Sequence, residues 1–210
     1  MNRWQFFVTH RADILQATAT HLSLVAISML IAIAIAIPLG MFIVQRPALR
    51  SIALGVASIF QTIPSLALFG FLIPIPFIGG IGTRTAIVAL VLYAILPILR
   101  NTYVGLTGID PAILQAAEAM GMTSNQILWR VRLPLALSVI LAGIRTATVI
   151  TIGVATIAAA IGAGGLGTFI FRGVAMVSDA VILAGAIPAA LLAIMADALL
   201  ALLERHLKVT

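Results

Sequence analysis

The sequence predicts an all-α membrane protein of about five spanning helices, and three observations carry that expectation. Of its 210 residues, 62% are hydrophobic and only 9% are charged, whereas a soluble domain carries about a quarter charged residues. Five apolar runs approach or exceed the length needed to cross a hydrocarbon layer about 30 Å thick. The charges collect between these runs rather than within them. With so little polar surface, most of the solvent of this chain must be lipid.

The first segment, MNRWQFFVTHRADILQATAT over 1–20, mixes aromatic rings with charges and reads as an interfacial helix lying along the membrane. The remainder, 21–210, reads as one membrane domain without internal repeats. Its first run covers 22–44 and is too long for the apolar region of a cleavable signal. Within it, IAIAIAI at 31–37 alternates like a strand. No polar residue takes the alternate positions, however, and the run lies inside a longer apolar span, so a helix is expected. The second run covers 52–73. The third, 85–99, is short and has to extend past Arg100 to span. The fourth, 135–161, carries Arg145 within it, and the fifth covers 180–203. Pro38, Pro64, Pro97 and Pro188 fall in or near these runs, where helix packing absorbs a kink.

Twelve Lys and Arg against six Asp and Glu give a net charge of +6. In this lipid-soluble chain the excess reads as loop charge that sets orientation rather than as a nucleic-acid surface. Five spans place Arg46, Arg50, Arg100, Arg130, Arg132, Arg205 and Lys208 on one side and Arg3, Arg11, Arg84 and Arg172 on the other. The richer side is expected to be cytoplasmic, which puts the C-terminus inside and the N-terminus outside. There is no cysteine, so disulfide and thiol chemistry are excluded.

Between Asp110 and Pro134 the apolar pattern is interrupted by QAAEAMGMTSNQILWRVRLP. Asp110 and Pro111 make a helix start, with Asp as N-cap and Pro in the first turn. Gly121 is a natural left-handed stop. Thr123 and Gln126 have capping-box spacing for a second short helix, which Pro134 is expected to close. Two capped helices hinged at Gly121 are therefore specified. Ala116, Ala117 and Gly121 are small enough for a partner to come close, and Met120 and Met122 offer adaptable apolar contact. The plainer reading is a loop helix resting on the membrane surface.

This stretch resembles the EAA signature of permease subunits in bacterial ATP-binding-cassette importers, through Ala116, Ala117, Gly121, Val131, Leu133 and Pro134. Gln115 stands where that signature has Glu, Glu118 follows one helical turn later, and Val131 replaces the usual Ile. Segments 61–74, 133–147 and 161–173 also look like permeases of the osmoprotectant type, in the same order and spacing. The resemblance implies a MetI-like transmembrane domain in the bacterial inner membrane. It further implies a cytoplasmic coupling helix that uses Gln115, Ala116, Ala117, Glu118, Gly121, Leu133 and Pro134 to dock a separate ATPase dimer. ATP would be used by that partner, and no cofactor is expected on this chain. A second permease copy or a related permease would complete the path, and an extracytoplasmic binding protein would deliver glycine betaine, choline or carnitine. Methionine importers share the architecture and are the nearest alternative.

Other residues were weighed for chemistry. Gln61, Thr62 and Ser65 flank Pro64 at membrane depth, and such polar groups usually face protein or water. They are candidates for a translocation path, against local hydrogen bonding within the helix. Arg145 and Asp197 lie about 16 Å and about 10 Å from the cytoplasmic ends of their spans at helical rise, so an intramembrane pair is expected. Gly162, Gly164 and Gly167 match G-x-G-x-x-G, but a spanning helix precedes them and no acidic residue follows at the required distance. They are expected to form an irregular re-entrant turn or a close helix contact. His10, His21 and His206 are scattered and suggest no metal site, and no catalytic constellation is present. A membrane enzyme would need an acidic or histidine cluster. A secondary transporter would show two similar halves and coupling carboxylates in its spans. With two Trp and two Tyr, an aromatic cage for quaternary ammonium is expected in the binding protein rather than here.

Overall fold

The computed structural model describes residues 3–206. Lys208, one of the charges counted for orientation, lies outside them, as do the side chains of Arg3 and Trp4. Among the described residues every regular element is a helix. Four helical segments are long and apolar enough to span, and a fifth span is possible if one sharply bent pair is counted together.

A short helix α1 (Arg3–Thr9) meets α2 (Arg11–Val44) at His10. Residues 11–20 are thus helical and continuous with the first span. The 34 residues of α2 measure about 51 Å at helical rise, well beyond the hydrocarbon layer. Arg11, Asp13 and Gln16 fall in the first two turns of this helix. The IAIAIAI run is helical, and it buries Ala32 and Ala36.

The second run breaks. Helix α3 (Pro47–Thr62) and α4 (Ser65–Leu72) meet at 103° instead of forming one continuous span. Pro64 has no N–H to continue the ladder, and its ring pushes Ile63 to extended geometry (φ −71°, ψ 127°). The freed Ile63 carbonyl accepts the Tyr93 hydroxyl, while Gln61 Nε2 donates to the Tyr93 carbonyl at 2.9 Å. The break is thereby fastened to the third span. That span, α5 (Thr83–Thr107), extends beyond Arg100 as its short apolar run required.

The polar interlude folds into α6 (Pro111–Ala119) and α7 (Ser124–Ile127). A single π turn, Leu128–Arg132, joins α7 to α8 (Leu133–Ile157), which continues into a 3₁₀ turn at Ala158–Ile161. Pro134 therefore does not close the second interlude helix as expected. A proline leaves the carbonyl four residues earlier without its bond and crowds it. Here the helix widens by one residue, with Leu133 N–H bonded to Leu128 O, and continues past the proline instead of ending. Helix α9 (Gly167–Ala175) and α10 (Asp179–His206) complete the chain.

The bundle is organised around α5, which packs along α2 on one side and α8 on the other. Lipid gives helices no hydrophobic reason to associate, so close backbone approach and dispersion must hold them. On α2, Ser28, Ala32, Ala36 and Gly40 recur every four residues and are all buried. A Cβ on Gly40 would lie 2.5 Å from Thr102 Cγ2. On α8, Ala136, Gly143, Ala147 and Ala155 form a corresponding buried row. A Cβ on Gly143 would come within 2.6 Å of Asn101 Cβ and 2.9 Å of the Pro97 carbonyl oxygen.

These contacts give a paired prediction for the isolated chain in detergent. Gly143→Val is expected to destabilise it by about 1–3 kcal/mol, the range for overpacking a core, and to lower its melting temperature. Gly153→Ala, on the same helix with nothing within 4 Å of an added Cβ, is expected to hold or raise it, because Ala is the better helix former. Equal melting of the two variants would show that α5 and α8 are not packed through Gly143.

Candidate coupling surface and intramembrane charge pair

The polar interlude folds as its caps dictate. Asp110 Oδ1 accepts from Ala112 N–H at 2.8 Å, with Pro111 opening α6. Gly121 follows the C-cap at φ +78°. Its N–H bonds Glu118 O at 2.9 Å, and Met122 N–H bonds Ala117 O at 3.2 Å. These two bonds make a Schellman closure, in which the left-handed position favours glycine. The next helix opens with a reciprocal capping box: Thr123 N–H donates to Gln126 Oε1 at 2.8 Å and Gln126 N–H to Thr123 Oγ1 at 3.4 Å.

Gln115, Ala116, Glu118, Met120 and Gly121 are exposed on this element, and Met120 keeps 75% of its surface. Ala117 turns inward and is 2% exposed. Its small size lets the helix seat on the protein, and it does not offer itself to a partner as the sequence suggested. Ile127, at the end of the second helix, and Leu128, at the start of the π turn, are also buried. Leu133 packs against a small cluster of Leu106, Leu128, Ala136 and Ile140, while Pro134 is exposed beside the π turn. Arg132 Nη1 donates to the Leu106 carbonyl at 3.2 Å, tying the foot of α8 to the end of α5. A cavity of about 360 Å³, lined by Val44, Gln45, Glu118, Ser124 and Arg132 among others, separates the interlude from the end of α2.

Within the spans, Arg145 and Asp197 meet in a bidentate pair. Arg145 Nε donates to Asp197 Oδ1 at 2.5 Å and Nη2 to Oδ2 at 2.7 Å. Glu204, two helical turns beyond Asp197 on the same face of α10, lies 3.6 Å from Arg145 Nη1. The sequence reading missed Glu204, although its seven-residue spacing from Asp197 was the available signal. The pair lines an open groove of about 440 Å³ between α8 and α10, with Ala142, Thr146 and Val149.

The candidate path residues divide. Gln61 is held by the Tyr93 carbonyl, and exposed Thr62 bonds its own helix at Ile59 O, 2.7 Å away. Pro64 is exposed and Ser65 half-buried at the bend. The glycine segment combines an irregular turn with a close helix contact. Gly162, Gly164 and Gly165 take positive φ between +76° and +79°, while a Cβ on Gly167 would lie 1.8 Å from Thr156 O. His21 is fully buried and its Nε2 lies 3.2 Å from Ile152 O, so it links α2 to α8.

A helical membrane bundle with a capped two-helix element between α5 and α8 fits an importer permease of the ATP-binding-cassette type. The same architecture occurs in a chain of the MetNI methionine ABC transporter solved in an inward-facing conformation, with a TM-score of 0.82 and 25% identity over 92% of this chain and 96% of that one. The chain belongs to the family described as binding-protein-dependent transport system inner membrane component, whose pattern matches residues 28–209. It is 46% identical over 203 residues to the carnitine transport permease protein OpuCD of Listeria monocytogenes serotype 1/2a (strain 10403S), covering 96% of this chain and 90% of that protein. It is also 46% identical over 195 residues to the glycine betaine/carnitine/choline transport system permease protein OpuCD of Bacillus subtilis (strain 168), covering 92% and 84% respectively.

The charge pair makes its own prediction. Asp197→Ala is expected to lower the melting temperature of the detergent-solubilised chain, because Arg145 loses both short bonds and keeps only the longer contact to Glu204. The exchanged double variant, Arg145→Asp with Asp197→Arg, is expected to recover part of the loss. A double variant as unstable as the sum of its single changes would show that the two residues are not coupled.

Proposed function

We propose that this chain forms, with a second copy or a related permease, the translocation path of an importer for glycine betaine, choline or carnitine. The observation that carries the reading is the exposed, doubly capped element hinged at Gly121, in a chain whose close relatives are named for those compounds. The N-terminus lies outside and the interlude and C-terminus lie in the cytoplasm, as the distribution of Arg and Lys favours. An ATPase dimer docks on Gln115, Ala116, Glu118, Met120 and Gly121. Its closure on ATP moves the interlude, and the continuous helix from Ser124 to Ile161 carries that motion into the membrane. ATP is bound and hydrolysed by the ATPase, not by this chain. An extracytoplasmic binding protein delivers the solute and supplies most of the selectivity.

Thr62, Pro64 and Ser65 at the bend, with Gln61 fixing it from behind, edge the path. Gln115 keeps the shape of the usual Glu without its charge, so docking relies on shape and on Glu118. The Arg145–Asp197 pair serves structure rather than solute recognition.

Uptake of radiolabelled glycine betaine, choline and carnitine by cells expressing the complete system tests the reading. Gly121→Val is expected to cut uptake at least tenfold and to abolish co-purification of the ATPase, because a β-branched residue resists φ +78° by about 1–2 kcal/mol or more. The chain itself is expected to remain in the membrane. Normal uptake and full ATPase recovery with this variant would refute coupling through the interlude. Methionine uptake in place of the three quaternary compounds would move the substrate to the amino-acid class.

A further inference from the structure

The geometry points to a binding site for a small zwitterion at the N-terminal end of the bundle, between α1, the start of α2, α9 and α10. A cavity of about 140 Å³ there is lined by Phe6, His10, Asp13, Phe169, Arg172 and Met176. The Phe6 and His10 rings stack with centroids 4.1 Å apart and planes inclined by 20°. His10 Nδ1 also lies 3.1 Å from the Phe6 carbonyl. This local arrangement presets one aromatic wall, and Phe169 supplies another.

Asp13 and Arg172 line the same cavity, yet among the described residues neither has an ion-pair partner. Each suits its own helix end, Asp13 in the first turn of α2 and Arg172 in the last turn of α9. Helix-end electrostatics account for each charge alone. They do not account for an unpaired carboxylate and an unpaired guanidinium opening onto one cavity with aromatic walls. That combination matches a ligand with both charges. Quaternary or primary ammonium groups are attracted to aromatic faces and to a carboxylate, and a guanidinium binds carboxylate or phosphate oxygens in a planar fork. A second cavity of about 250 Å³ shares Asp13 and Phe169 and reaches Thr20, Gly164 and Gly165. Asp13 therefore stands on the wall between the two, and a longer zwitterion has room to extend.

This chemistry has two sources: a solute of the class proposed above, or the head group of a zwitterionic phospholipid. The choice of probes rests on the proposed function, but the site itself is read out by binding rather than by transport. The whole transporter, without its binding protein, is placed in nanodiscs of phosphatidylglycerol alone and equilibrated with labelled glycine betaine, phosphocholine or choline. The unmodified protein is expected to retain at least one zwitterion more tightly than choline. Asp13→Asn is expected to weaken zwitterion and choline at least tenfold, and Asp13→Glu to restore them. Arg172→Gln is expected to weaken only the zwitterion, at least fivefold. Both exposed side chains can be changed without disturbing the core, and size-exclusion of the assembled complex checks this.

Retention of glycine betaine without phosphocholine identifies a transported solute, and the reverse identifies a lipid head group. A chain that imports none of the quaternary compounds yet binds phosphocholine through Asp13 would refute the substrate class and leave the site standing. No retention of either zwitterion, or retention indifferent to both Asp13→Asn and Arg172→Gln, overturns the proposal.

Discussion

Every backbone N–H and C=O placed in lipid needs a partner within the protein, because each unpaired group costs several kcal/mol where water is absent. The shape of this chain follows from how it meets that constraint at the points where its helices are interrupted. At Pro64 the ladder fails, and Tyr93 reaches across from α5 to take the Ile63 carbonyl. At Gly121, on the exposed interlude outside the spans, two backbone bonds close the helix end where water could also have served. At Pro134 the chain widens into a π turn and remains helical. Each solution also fixes a direction: the first folds α4 through 103°, the second hinges the interlude, and the third makes the interlude continuous with α8.

The same distinction explains what was legible in the sequence. Caps and hinges are local, so Asp110, Gly121, Thr123 and Gln126 announced their helices by spacing alone. The spans were legible because lipid imposes a minimum apolar length. The bend was only half legible. Pro64 marks a break, but its angle depends on Tyr93 and Gln61, which pair across about thirty residues of chain. The inward turn of Ala117 was hidden because an alanine reads alike on a buried or an exposed face. The continuity of residues 11–20 with the first span was not legible, because Arg11, Asp13 and Gln16 look alike in a separate helix and in an extension of the span.

Charge is used sparingly here, and its placement separates two roles. Arg145, Asp197 and Glu204 satisfy one another across α8 and α10, where an isolated charge would be strongly disfavoured. Asp13 and Arg172 sit near the ends of their helices with no ion-pair partner among the described residues. A charge inside the hydrocarbon must be paired for the fold to persist. A charge beyond it is free to wait for a ligand, because water and the helix dipole already make it tolerable. The unpaired groups thus fall where leaving them unpaired costs least.

A coupling element works only if the force applied to it reaches the path without being absorbed by local bending. Two features favour transmission in this fold. The second interlude helix has no loop before α8, so a displacement at Ser124 acts on the same helical segment that extends to Ile161. Arg132 donates to the Leu106 carbonyl at 3.2 Å, which ties the foot of α8 to the end of α5. The α5–α8 contact is backbone-close at Gly143, and close-packed interfaces shift between discrete arrangements rather than deform gradually. In the coupling proposed above, the left-handed turn at Gly121 is where the interlude bends, and the uninterrupted helix from Ser124 to Ile161 is the lever.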